Sequence, residues 1–257
     1  MQIFEVEVFK LFIIVAARVS GLIVAAPVLG SRNYPVIAKV GLVSFIAILI
    51  APTLPAFDQT LPSDPIAFTI IGAGEFLIGL IMGFVMTILF SAIQIGGQIV
   101  DMQTGFSLMN IFNPALETQF PIFGFFFFIV AVLYFFTLNM HHLMLTALAA
   151  SFEQLPPGGF TLHPELMLEV QRWGNAMFLD GLLIAAPVAA AMFLAYVTMG
   201  LLGRVVPQIH LLVIGFPITI SVGLFLVAFS ITLYLGLLDN LFHQMFKNVE
   251  VTIRGMS

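Results

Sequence analysis

The chain has 257 residues, of which 61% are hydrophobic before its 21 glycines are counted and 8% are charged. A soluble domain carries about 25% charged residues, so most of this surface must meet lipid or other protein, as the mean hydropathy of +1.14 also requires. Eight Lys+Arg against 13 Asp+Glu give a net charge of −5 with no basic run, which excludes nucleic-acid binding through clustered cations.

The N-terminus, Met1-Gln2-Ile3-Phe4-Glu5-Val6-Glu7, carries acids where a cleavable leader needs a positive n-region. The first apolar segment is therefore expected to stay in the mature protein. Six apolar stretches run along the chain, at residues 8–29, 36–54, 66–95, 120–150, 176–202 and 211–238. Each can cross ~30 Å of hydrocarbon as a helix of ~20 residues. Helices are expected because an open strand edge in lipid leaves backbone donors and acceptors unpaired. The polar–apolar alternation of a transmembrane barrel is absent. The fold class is all-α, a polytopic integral membrane protein of about six long apolar helices or hairpins.

The connections are uneven. Residues 30–35 and 203–210 read as tight turns, and 55–65 as a proline-rich acidic loop. Residues 96–119 are polar at both ends and apolar in the middle. Residues 151–175 contain Pro156-Pro157-Gly158-Gly159, then a short amphipathic stretch from Pro164 that reads as an interfacial helix. Six spans would place Arg32, Lys39 and Arg204 on one side and Lys10, Arg172, Lys247 and Arg254 on the other. That balance sets no orientation and argues against six simple spans. Two stretches near 30 residues point the same way, toward tilted or bent packing.

Catalytic motifs are missing. There is no G-x-x-x-x-G-K-[ST], no H-E-x-x-H and no G-x-S-x-G. The chain has no cysteine for a thiolate metal site or nucleophile, and of five histidines only His141 and His142 are close. Adjacent helical positions point about 100° apart, which is wrong for shared ligation. The expectation is a protein that is not an enzyme and holds no cofactor or metal.

Charges inside the apolar stretches carry more information. Glu75 shares a helical face with Gly72, Gly79, Gly83 and Met86, and Gly79–Gly83 is a G-x-x-x-G pair that admits a second backbone. Arg18 repeats the pattern with Gly21 and Ala25. A structural clamp, Arg18–Glu75 or Lys39–Glu75, is one reading; a proton or substrate site in a pathway is the other. Ala185, Ala189 and Phe193 share a face, as do Ala186, Ala190 and Leu194 beside Pro187, which suits tight helix packing inside or between chains.

The most unusual piece is Gly105-Phe106-Ser107-Leu108-Met109-Asn110-Ile111-Phe112-Asn113-Pro114, flanked by Asp101 and Glu117. It is apolar, broken by Gly and Asn-Pro, and too short to span. Irregular backbone at membrane depth survives where protein buries it or where it lines a cavity. A deformable apolar constriction and a buried interhelical loop both fit.

These residues, in order, resemble the FliR/SctT family of type III secretion export-gate subunits. The resemblance rests on Arg18-x-x-Gly21, Ala26-Pro27, Pro35, Lys39, Pro52, Glu75, Gly79 and Gly83. It continues through Gly97, Asp101-x-Gln103-x-Gly105, Asn113-Pro114, Gln119, His141-His142, Leu155-Pro156, Arg204-x-x-Pro207-Gln208 and Gly215-x-Pro217. It covers nearly the whole chain. What the resemblance implies is a core subunit of a flagellar export gate in the bacterial inner membrane at the basal body. Partners would be FliP-like, FliQ-like and FlhB-like subunits, with unfolded proteins as substrates and membrane lipid around the assembly. Residues 1–172 would be a FliP-like part containing a plug loop at 105–114, and 173–257 a FliQ-like helix pair and tail. The plug side chains carried over are Gly105, Phe106, Leu108, Met109, Ile111 and Phe112. The alternatives are an injectisome subunit of the SctT type, or a proton-coupled small-solute transporter using Glu75, Asp101 or Asp180.

Overall fold

The computed structural model describes residues 2–31, 33–54, 61–107, 121–161, 163–205 and 211–256, without the side chains of 2–5 and 211–213. Among them every regular element is helical. They are α1 (Gln2–Ala25), α2 (Val36–Ile50), α3 (Pro65–Thr104), α4 (Ile122–Thr137), α5 (Met140–Gln154), α6 (Pro164–Val205) and α7 (Leu211–Arg254), with a 3-10 turn at Ala51–Thr53. Five are long and apolar enough to cross a membrane, and the bent pair α4–α5 raises the number to six if taken as one span. The chain is an all-α polytopic membrane protein.

Helix lengths depart from the expectation in a consistent direction. α3, α6 and α7 have 40, 42 and 44 residues. At ~1.5 Å per residue each is ~60–66 Å long, about twice a ~30 Å hydrocarbon layer. α3 was expected to stop near residue 95, yet it runs through Gly96-Gly97 to Thr104. Those glycines serve close packing. A methyl group at Gly96 would lie 2.9 Å from the Gly181 carbonyl oxygen, and one at Gly97 would fall on Gly124.

The expected single stretch 120–150 is two helices bent by 69°. The break is at Leu138-Asn139, where Asn139 takes φ 55°, a region that Asn tolerates better than most side chains. The expected interfacial helix at 164–173 is the first part of α6, continuous through Gly174 and past Pro187. Pro187 deletes the bond to the Leu183 carbonyl without ending the helix, as membrane helices allow when neighbours pack around the site. α7 likewise passes residue 238 and ends at Arg254.

The chain forms two compact units. The first comprises Met1–Leu89, Leu138–Trp173 and Phe242–Ser257. Its centre is the α1–α3 contact, with Ile14, Val15, Val19 and Leu22 from α1 and Ile78, Met82 and Val85 from α3 all buried. The backbones interlock. A methyl at Gly21 would strike the Phe76 carbonyl oxygen, and one at Gly79 the Arg18 carbonyl oxygen. Thr87 donates its hydroxyl to the Ala25 carbonyl at 2.6 Å. The C-terminal tail is pinned in this unit, with Thr161 N–H donating to Met256 O at 3.1 Å.

The second unit comprises Phe90–Thr137 and Gly174–Leu241. Gly181 of α6 meets Ala92 and Ile95 of α3, and Gly223 of α7 meets Thr104. The buried Tyr234 hydroxyl donates to the Phe127 carbonyl at 2.7 Å, its ring centroid 4.7 Å from that of Phe127. A buried phenol must find such an acceptor.

Two glycine substitutions separate close packing from mere flexibility. Gly79→Ala pushes a methyl into the α1 backbone and should cost about 1–3 kcal/mol as an overpacked contact. Gly72→Ala, with nothing within 4 Å, should leave the thermal midpoint in detergent unchanged or slightly raised. Equal midpoints for the two variants would contradict the interlock.

Candidate functional site

Two polar constellations stand in the apolar structure, one in each unit. In the first, Arg18 is fully buried. Its Nε donates to Glu75 Oε2 at 2.6 Å, its Nη1 to Ser151 Oγ at 2.9 Å and its Nη2 to the Leu155 carbonyl at 2.8 Å. The guanidinium carbon lies 3.8 Å above the Phe152 ring centroid. Only a guanidinium offers donors in three directions together with a planar face for stacking.

Glu75 is equally buried, and its second oxygen accepts from the Gly158 N–H at 3.4 Å. Gly158 stands at φ 85°, a conformation that favours glycine, so the turn after α5 can aim its N–H at the carboxylate. α1, α3, α5 and the following turn thus converge on one ion pair. Lys39 does not take part. Its Nζ donates to the Gly30 carbonyl at 2.9 Å, closing the turn between α1 and α2. Of the two pairings the sequence left open, the structure forms Arg18–Glu75.

The second constellation is the stem of the 105–114 segment. Asp101, also buried, sits near the end of α3. Its carboxylate accepts from the Phe123 N–H at 3.0 and 3.1 Å and from the Gly124 N–H at 3.1 Å. These amides begin α4 and have no partner within the helix, so the anion meets both unpaired donors and the positive end of the helix dipole. Because Gly97 lies directly on Gly124, no side chain holds the two helices apart.

Gly105 ends α3 at φ 90°, against Phe216 and Thr219 of α7. Phe106 meets Phe123 edge to face, with centroids 5.3 Å apart and planes at 82°. Tyr196 of α6 donates to the Gln103 carbonyl at 2.6 Å. The end of α3 and the start of α4 are therefore held together by Asp101 and Phe123. Leu108, Met109, Ile111 and Phe112 lie outside the described residues.

Asp180 of α6 is half-buried in the second unit. The structure brings it to neither constellation. Ser151, Leu155 and Gly158 complete the arginine site, and the motifs Leu155-Pro156 and Pro156-Pro157-Gly158-Gly159 do not mark them as partners of a charge. Two of the three groups involved are backbone atoms, and Ser151 is 133 residues from Arg18.

Comparison with known proteins places these residues in context. The family model for bacterial export proteins, family 1, matches residues 9–245. The chain belongs to that family. Among its relatives, the flagellar biosynthetic protein FliR of Escherichia coli (strain K12) is 34% identical over 230 residues, covering 90% of this chain and 87% of that protein. FliR of Bacillus subtilis (strain 168) is 29% identical over 243 residues, 92% of each. FliR of Pectobacterium carotovorum is 31% identical over 229 residues, 89% of this chain and 87% of that protein. The match to the export family spans both constellations.

The helix-end contact of Asp101 can be weighed directly. Asp101→Ala removes the acceptor from the Phe123 and Gly124 amides and should cost about 0.5–2 kcal/mol, as loss of a helix cap does. Hydrogen exchange in a peptide covering 121–128 should speed up severalfold, and Asp101→Asn, which keeps one acceptor, should lie between. Unchanged exchange in Asp101→Ala would remove the carboxylate from any role at this stem.

Proposed function

We propose that the chain is a core, non-enzymatic subunit of the flagellar type III protein export gate, which helps to form and seal a channel for unfolded proteins. The observation that carries this reading is the likeness to flagellar FliR proteins over about nine-tenths of the chain. It sits in the bacterial inner membrane at the flagellar basal body and assembles with FliP-like, FliQ-like and FlhB-like subunits. Residues 1–172 act as the FliP-like part and 173–257 as the FliQ-like pair and tail.

The 105–114 segment is the plug. Phe106, Leu108, Met109, Ile111 and Phe112 close the channel with apolar, shape-adapting side chains, Gly105 supplies the turn that starts the segment, and displacement of the segment opens it. A clasped stem supports this reading. With the Asp101 carboxylate joining the end of α3 to the Phe123 and Gly124 amides of α4, the segment between the two helices can move without separating them. Arg18, Glu75, Gly79 and Gly83 serve packing, and Lys39 secures the α1–α2 turn.

Proton-coupled solute transport needs a carboxylate free to exchange a proton. Of the three carboxylates that reading could use, Glu75 and Asp101 are engaged by protein donors, which leaves it Asp180 alone. An injectisome role would use the same plug chemistry; the flagellar relatives favour the flagellar assignment.

Deleting residues 105–112 should leave the assembled complex intact by mass while raising its ion conductance in planar bilayers at least tenfold. Wild-type conductance in an intact deletion complex would end the plug assignment.

A further inference from the structure

The second unit contains residues 90–104 of α3, and within them the exposed side chains are Gln94, Gln98 and Met102, at steps of four. Residues at that spacing lie along one side of a helix. In α6 and α7 outward positions are filled by residues such as Phe193, Leu194, Phe225 and Phe229, which suit acyl chains. A carboxamide turned to acyl chains leaves donors and an acceptor unpaired, which is costly. The Gln94–Gln98 face is therefore built for water or a polar partner rather than for lipid. It is also neutral, because no acidic or basic residue falls between Glu75 and Asp101.

This face leads to the 105–114 segment. Met102, 72% exposed, stands one turn beyond Gln98 and shortly before the Gly105 turn. On other sides of the helix Gly96 lies against Gly181 of α6 and Gly97 on Gly124 of α4, so packing fixes which side of α3 is turned outward. Gln94 and Gln98 are one helical turn apart, ~6 Å along the axis. An extended polypeptide repeats at nearly the same interval, two residues at ~3.3–3.4 Å each. Two carboxamides at that separation can each bond a peptide group on the same side of an extended chain.

We propose that Gln94 and Gln98 line the conduit just before the plug and bond the backbone of the passing polypeptide. The inference rests on the export-gate reading above and adds the groups that the substrate meets. Each carboxamide offers donors and an acceptor, so it pairs with a peptide C=O or N–H whatever the substrate's side chains are. A neutral face also treats acidic and basic segments alike. Hydrogen bonds exchanged with water are weak in net terms, so the chain is guided and then released, as conduction requires. The competing occupant is a helix of another subunit, whose backbone N–H groups are already bonded within the helix. An extended chain instead presents both N–H and C=O along its length.

The test uses the full chain assembled with its partner subunits in cells, and an export substrate fused to a tightly folded domain that stalls in the gate. A photo-crosslinker at Met102, which leaves both glutamines in place, should capture that substrate, and the adduct should fall about tenfold when the substrate is not stalled. The relative export rates of two substrates, one with an acidic stretch and one with a basic stretch, give a second readout. Their ratio should shift about threefold or more in Gln98→Glu and in the opposite sense in Gln98→Lys, because a charge beside the passing chain makes the conduit selective. Three results would overturn the proposal and leave the export-gate reading standing: crosslinks that reach only lipid or another subunit, an unchanged ratio in the assembled variants, or loss of the complex in both. If the unaltered chain supports export of neither substrate, that reading falls as well.

Discussion

A guanidinium carries five N–H donors and a charge that cannot be titrated away, so burying one among apolar helices is costly unless acceptors surround it. Arg18 meets that constraint with a carboxylate, a hydroxyl, a backbone carbonyl and an aromatic face, drawn from α3, α5 and the turn after α5. No single element could supply this set. The first unit must therefore bring α1, α3 and α5 together before the arginine can be buried. The glycines permit what the charge demands, because only a Gly21–Gly79 interlock lets the α1 and α3 backbones approach this closely.

The second unit solves a parallel problem with opposite polarity. There the buried charge is an anion, Asp101, and its counter-group is the unpaired amide end of α4. Close approach again depends on glycine, Gly97 on Gly124 and Gly96 beside Gly181. Each unit thus pairs one buried charge with donors or acceptors from a distant part of the sequence, around a contact that any larger side chain would block. Such an arrangement specifies which helices are neighbours in a setting where apolar packing alone discriminates poorly.

The helical class and the six apolar stretches were legible from composition and run length, because lipid leaves the backbone few alternatives. Arg18–Glu75 was legible as one of two pairings, since each residue shared a helical face with small residues. The helix ends were not. Gly96-Gly97 resembles a terminator until its neighbours Gly124 and Gly181 are known, and the break at Asn139 is marked only by a short polar cluster, Thr137, Asn139, His141 and His142, inside the long stretch 120–150. Asp101 was legible only as a flank of the 105–114 segment, because its counter-group, a helix N-terminus, has no charged letter in the sequence. Ser151 and the Leu155 carbonyl were hidden for the same reason. The plug side chains were reached through family resemblance, and of those only Gly105 and Phe106 fall among the described residues.

The central claim is that Arg18 and Glu75 act as one unit whose burial organises the helices around them. A double-mutant cycle on thermal unfolding of the purified complex tests it, with Arg18→Met, Glu75→Leu and both together. Each single change strands a buried charge and should cost about 3–5 kcal/mol. The double change strands none and should recover most of that loss. Losses that simply add in the double variant would show two independent residues and contradict the account.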